Sequence, residues 1–114
     1  MKTISPSELK KKISNEDEIV ILDVRAIEKY SKDHIDATNV HSINIPKSTI
    51  FQLQETKETS ILELPVDKEI IVTCTTGNSA RKCASILSEY HYQVTVLDGG
   101  MTAWNANHDD VESD

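Results

Sequence analysis

An apolar, β-branched run that stops at a cysteine constrains this chain more than any other feature. Glu69-Ile70-Ile71-Val72-Thr73 reads as a buried strand, and Cys74 ends it. Six small or polar residues follow, Thr75, Thr76, Gly77, Asn78, Ser79 and Ala80, with Gly77 placed to permit tight curvature. Ala80, Cys83, Ala84 and Leu87 then recur at helical spacing, which predicts a helix beginning at Asn78 or Ser79. Backbone N–H groups of the loop and first helical turn lack intrahelical partners, and the helix dipole adds partial positive charge there. A cysteine facing them is biased towards thiolate, the nucleophilic form. A cysteine at a strand end also serves as a small buried hydrophobe, so the stretch by itself leaves both readings open.

A second continuous apolar run, Ile19-Val20-Ile21-Leu22-Asp23-Val24, predicts a central parallel strand, with Asp23 and Arg25 at its C-terminal end. Sites in open α/β sheets form just past the carboxyl ends of strands, and Cys74 occupies the corresponding end of its own strand. The remaining segments alternate in the same way. Met1 to Ile4 is a short edge strand, and Ser5-Pro6-Ser7-Glu8 starts a helix with Ser5 as N-cap and Glu8 closing a capping box. Ala26 to Ser31 reads as a short helix with Ile27 and Tyr30 inward, closed by Asp33-His34-Ile35. Asp36 to Ser42 reads as a polar connection, Ile43 to Pro46 as a short strand, and Lys47 to Glu58 as a helix. Ile61 to Pro65 reads as a turn or short helix. Tyr92 to Leu97 is a last strand, and after the turn Asp98-Gly99-Gly100 a short helix over Met101 to Asn105 carries Trp104. This alternation predicts an α/β fold, a parallel sheet covered by helices on both faces.

The 114 residues suffice for one domain over 1–106, followed by an acidic, frayed tail over 107–114. The net charge of -7 argues against nucleic acid or an anionic membrane surface as a partner. Any attraction for an anion must therefore be local. Cys74 and Cys83 make a poor disulfide framework, no apolar leader or membrane-length run is present, and the reading is cytoplasmic with free thiols. The histidines His34, His41, His91 and His108 are scattered without metal-ligand spacing, so no metal is expected. Gly99-Gly100 has no dinucleotide-type glycine pattern around it, so no cofactor is expected.

Three pieces, in order and over about 100 residues, resemble rhodanese-like domains. They are Leu22-Asp23-Val24-Arg25 with Glu28, Tyr30, His34-Ile35 and Ile43-Asn44-Ile45-Pro46; Val72-Thr73-Cys74-Thr75-Thr76-Gly77-Asn78 opening a helix; and Leu97-Asp98-Gly99-Gly100-Met101 with Trp104. The resemblance implies a five-stranded parallel sheet flanked by helices. It also implies that Cys74 accepts sulfane sulfur as a persulfide and passes it to an acceptor. The donor would be thiosulfate or a low-molecular-weight persulfide, and the acceptor cyanide, a thiol or a sulfur-accepting protein. By the same resemblance Asp23 and Arg25 form a supporting pair and His34 is structural. The pattern departs from the family in two respects: the stretch between His34 and Pro46 is longer than the usual pattern and reads as a surface insertion, and the loop arginine is displaced. Many members carry an arginine five positions after the cysteine and a serine next, whereas this chain has Ser79 and Ala80 there, with its arginine at Arg81.

In this reading Cys74 is the catalytic residue, and Thr75, Thr76, Gly77, Asn78, Ser79 and Ala80 form the substrate-binding loop. Arg81 is either an anion contact or a solvated helix residue. Cys83 is core filler in preference to a resolving thiol. Two alternatives accompany the enzyme: a non-enzymatic sulfur carrier or persulfide-sensing module, which the missing loop arginine favours, and a phosphatase or arsenate reductase on the same fold, which the loop spacing disfavours.

Overall fold

The protein is described by a computed structural model covering residues 1–58 and 62–112, with residues 107–112 as backbone only. Among the described residues, five parallel strands are β1 (Thr3–Ile4), β2 (Ile19–Asp23), β3 (Val40–Asn44), β4 (Glu69–Thr73) and β5 (Gln93–Leu97). They form one sheet in the order β1-β5-β4-β2-β3. The helices around it are α1 (Pro6–Ser14), α2 (Ile27–Lys32), α3 (Lys47–Phe51), α4 (Leu53–Thr56), α5 (Asn78–Glu89) and α6 (Gly100–Glu112).

The uninterrupted apolar runs of β2 and β4 follow from burial on both faces. Val20, Leu22, Ile70 and Val72 point to one side, where they pack with Ile50 of α3, Leu53 of α4 and Cys83, Ala84 and Leu87 of α5. Ile19, Ile21 and Ile71 point to the other, against Leu9 of α1 and Met101 of α6. Burying one such side chain stabilises the fold by about 2 kcal/mol. The capping box forms as the sequence predicts: the Glu8 amide donates to Ser5 Oγ, and the Ser5 amide donates to Glu8 Oε1.

Several elements differ from expectation. The strand expected at residues 43–46 begins at Val40, because His41 and Ser42 pair with Val20 and Ile21 on the sheet edge. An edge strand is only half-covered, so polar residues there hide the strand signal. The helix expected over 47–58 is divided into α3 and α4 at Gln52 and ends where Lys57 turns left-handed. Ile27 does not point inward; it is 52% exposed. Helix α2 is short and buries no side chain. It is held instead by the Tyr30 hydroxyl against Ser42 Oγ (2.7 Å) and by His34 stacked on the Tyr30 ring. Helix α6 runs on in the backbone to Glu112, past the short helix expected over 101–105. Ile61, the side chains from Asn107 onward, and Ser113 and Asp114 of the expected tail lie outside the described residues. Among the described residues no helix is long and apolar enough to cross a membrane.

Register sets the position of the functional edge. Asp23 at the end of β2 stands level with Asn44 of β3 and Thr73 of β4. Three strand ends therefore open onto one rim. At the opposite end of β4, Glu69 takes a hydrogen bond from Thr95 Oγ1 and pairs with Lys2 (3.2 Å) and Lys12 (3.7 Å). Burial pushes its carboxyl up, but the Thr95 hydrogen bond and then Lys2 and Lys12 outweigh this and hold it below its ordinary 4.5. A depressed carboxyl adds stability that is present above the unfolded-state value and lost as pH falls through the folded one. Thr95→Val should therefore lower stability at pH 7 and flatten the loss of stability below pH 4.5, as read by urea midpoints measured across that range.

Candidate active site

Cys74 follows directly on β4, and Gly77, with φ +105°, turns the chain into α5. That left-handed value suits glycine and strains any residue with a Cβ. The turn presents two amides to the sulfur: the Gly77 N–H donates to Cys74 Sγ at 3.0 Å and the Ala80 N–H at 3.4 Å. The carbonyls on the other side of the loop are taken up by α6. The Met101 amide donates to the Cys74 carbonyl (2.8 Å) and the Thr102 amide to the Thr75 carbonyl (3.0 Å). Both loop carbonyls are thereby turned away from the sulfur. Helix α6 can approach this closely because its first residue is Gly100, where a Cβ would overlap the Cys74 carbonyl oxygen and the Thr75 backbone. Gly99-Gly100 thus serves the packing of the loop as well as the turn.

Cys74 lies at the base of a pocket of about 340 Å³. Thr75, Thr76 and Ser79 line it from the loop and the first turn of α5; Val24, Arg25, Ala26 and Lys29 form one wall; Pro46, Lys47 and Ser48 form the other. The first wall is braced by a buried ion pair. Arg25 Nε lies 3.0 Å from both Asp23 carboxylate oxygens, and Arg25 Nη2 lies 2.7 Å from Oδ2 and 2.7 Å from the Asp33 carbonyl. The hydrogen bond it donates to Asp23 holds the guanidinium firmly charged against the cost of its burial. A bidentate pair of this kind orients as well as attracts. The second wall is pinned to the first through backbone: the Asn44 side-chain amide donates to the Asp23 and Arg25 carbonyls, and the Lys47 amide donates to the Val24 carbonyl at 3.0 Å.

The structure brings most of the sequence-predicted residues together. Cys74, Thr75, Thr76, Ser79 and Arg25 line the pocket, Gly77 and Ala80 supply amides, and Asp23 stands behind Arg25. Asn78 is exposed on the first turn of α5 and does not line the pocket. Arg81 is 63% exposed along its side chain and faces Asp98 at 4.0 Å, outside the pocket. Each step along a helix turns a side chain by about 100°, which carries residue 81 past the sulfur towards the turn before α6. The sequence reading missed Lys29, Asn44 and Lys47. The adjacent Pro46 marks a strand end on the rim of Cys74, and that signal was available for Asn44 and Lys47.

Cys83 is fully buried beneath the loop. Burial, reinforced by the charge of Cys74, pushes its thiol up to about 12, while Lys47 pulls it slightly back. Cys83 therefore stays protonated at neutral pH and is a poor nucleophile. Among the described residues no group of three or more His, Cys, Asp or Glu side chains is placed to hold a metal ion.

A strand-terminal cysteine under helix amides, at the carboxyl edge of a five-stranded parallel sheet, defines the class of the domain. The rhodanese-like domain family matches residues 5–107. The chain is 30% identical over 105 residues to the "Putative sulfurtransferase YtwF" of Bacillus subtilis (strain 168), covering 91% of this chain and 90% of that one. Among solved structures it superposes on a rhodanese-related protein from Thermoplasma volcanium (27% identity, TM-score 0.72, 94% and 93% of the two chains). It also superposes on a rhodanese-like domain protein from Staphylococcus aureus (25% identity, TM-score 0.75, 91% of each chain). A third match is a NAD-dependent persulfide reductase from A. fulgidus, at 32% identity and TM-score 0.61, where 91% of this chain covers 16% of the larger protein. The chain belongs to the rhodanese-like domain family, which is of sulfurtransferase type.

Two outcomes test this geometry. Gly100→Ala must displace α6 from the loop carbonyls, and it should cost about 2–3 kcal/mol in a urea titration. Iodoacetamide at pH 8 should label Cys74 but spare Cys83 until the chain is unfolded in urea, as read by peptide mass spectrometry. Labelling of Cys83 in the folded protein would contradict its burial.

Proposed function

We propose that this domain is a sulfurtransferase that moves sulfane sulfur through a Cys74 persulfide. The observation that carries the reading is the pair of backbone amides on Cys74 Sγ at the base of a pocket whose charged lining residues are all cationic. Amides aimed at the sulfur favour its anionic form and cost no reorganisation when charge moves onto it.

The Cys74 thiolate attacks the outer sulfur of thiosulfate. A new S–S bond forms, the old one breaks, and sulfite leaves with the bonding pair. The product is a persulfide anion, Cys74–S–S⁻, one atom further from the strand end. The amides of Thr76, Asn78 and Ser79 donate to no other protein group among the described residues, and they can meet the displaced charge. Cyanide or a thiolate then attacks the terminal sulfur, leaves as thiocyanate or a new persulfide, and returns the Cys74 thiolate. The cycle is ping-pong. Cys83 takes no part, because a protonated thiol does not resolve the persulfide at a useful rate. A small organic persulfide enters the same cycle with its thiolate as leaving group, and the match to a persulfide reductase supports that donor class.

A sulfur-carrier reading is favoured by one observation: Ser79 places a hydroxyl, not a guanidinium, in the pocket. In that case the loaded persulfide waits for a thiol on a partner protein, and thiosulfate turnover is slow.

Intact-protein mass spectrometry after brief exposure to thiosulfate, or to a small persulfide, should show a gain of one sulfur atom that cyanide removes and that Cys74→Ser abolishes. A protein that takes up no sulfur from either donor would sink both readings.

A further inference from the structure

The loop from Thr75 to Ala80 carries no charged side chain. A donor anion must therefore find its counter-charge elsewhere. Three cationic residues line the pocket, Arg25, Lys29 and Lys47, and among the described residues no carboxylate does. Arg25 is 9% exposed, and its guanidinium is already occupied by Asp23 and Asp33. Arg81 is turned away towards Asp98. Lys29 and Lys47 remain, and neither makes an ion pair among the described residues.

Lys47 is the better placed of the two. Its backbone is fixed at the amide, which donates to the Val24 carbonyl at 3.0 Å. From that anchor the side chain spans the pocket, and Nζ reaches Ser79 Oγ at 3.5 Å, on the first turn of α5. Ser79 lies on the same turn as Ala80, whose amide holds the sulfur. The ammonium thus bridges from α3 to the position where the loop lacks a cation. Its field also reaches behind the loop, where it lowers the Cys83 thiol against the effect of burial.

We propose that Lys47 is the anion-binding residue of this site, holding the charged end of the sulfur donor from α3 in place of a cation on the loop. The ligand class is a sulfane-sulfur donor with an oxyanion beside the reacting sulfur: the sulfonate of thiosulfate, or the carboxylate of a small persulfide. A lysine offers a point charge on a flexible stem and does not form the planar, two-pronged contact of a guanidinium. It tolerates both oxyanions and binds each weakly. Lys29, without a hydrogen bond into the loop, contributes to the general field only.

This inference rests on Cys74 as the sulfur acceptor, so its test includes a reaction that needs no sulfur transfer. Iodoacetate and iodoacetamide alkylate the same thiol, but only iodoacetate is an anion. Any change in thiolate fraction cancels in the ratio of their rates at Cys74, which leaves the local field. In the full chain at pH 8 and low salt, Lys47→Gln should lower the iodoacetate-to-iodoacetamide ratio by about three- to tenfold, the effect of one charge a few ångströms away in a wet pocket. Lys47→Arg should restore it, and Lys29→Gln should change it less. In sulfur transfer, Lys47→Gln should raise the KM for thiosulfate and for a carboxylated persulfide, with kcat changed by less than about twofold. A persulfide lacking the carboxylate should be indifferent to the substitution. An unchanged alkylation ratio in Lys47→Gln, or an equal change in Lys29→Gln, overturns the assignment. If the ratio falls as expected but no variant takes up sulfur, the placement of Lys47 stands and the sulfur-acceptor reading fails.

Discussion

Two hydrogen bonds between the start of α6 and the loop after β4 hold the candidate site in shape. The amides of Met101 and Thr102 take the carbonyls of Cys74 and Thr75. They are groups that every helix start leaves without intrahelical partners, and here they are used to orient a loop. Once those two carbonyls face α6, the chain rounds Gly77 so that the Gly77 and Ala80 amides face the sulfur. The helix that clamps the loop lies on the opposite face of the sheet from the helix the loop leads into. The loop is thus gripped from both layers of the fold.

The parallel sheet supplies the second constraint. Strands β2, β3 and β4 end in register, so Arg25, Lys47 and Cys74 come to one rim from segments distant in sequence. The Asn44 side chain and the Lys47 amide tie two of these ends together, because both donate to carbonyls of the Asp23–Arg25 segment. The Asp23–Arg25 pair then fills the space behind the wall. A buried ion pair of this kind adds little net stability once desolvation is counted, and its contribution here is to hold orientation. The result is a locally cationic pocket on a chain of net charge -7. Exposed charges beyond about 8–10 Å are largely screened at physiological salt, so the pocket field dominates at the sulfur.

At Ser79 two elements distant in the sequence meet on the pocket. A serine at the start of α5 leaves room in the pocket, and a lysine one wall away extends into it. The Arg81 side chain, near in sequence, is excluded by the pitch of the helix. Nearness along the chain and nearness to the sulfur are different quantities once a helix intervenes.

Local sequence determined the elements whose signals are short-range. The apolar runs at 19–24 and 69–73 are readable because covering both faces of a parallel sheet demands continuous apolar strands, and the capping box at Ser5 and Glu8, the helix from Asn78 and the buried stripe through Cys83 because caps and helical periods are set within a few residues. The Cys74 loop was readable because strand, glycine and helix follow each other within a few residues. The exposed α2 was misread at Ile27, because a helix held by a tyrosine hydroxyl and a histidine ring leaves no apolar period. The start of β3 was hidden by the polar composition of an edge strand. Only the tertiary structure decided which cations line the pocket of Cys74. Lys47 and Cys74 are joined by strand register across the sheet, and no pattern within either segment encodes that register. Likewise Gly100 reads as a turn residue in the sequence. Its close approach to the Cys74 carbonyl exists only after α6 has docked.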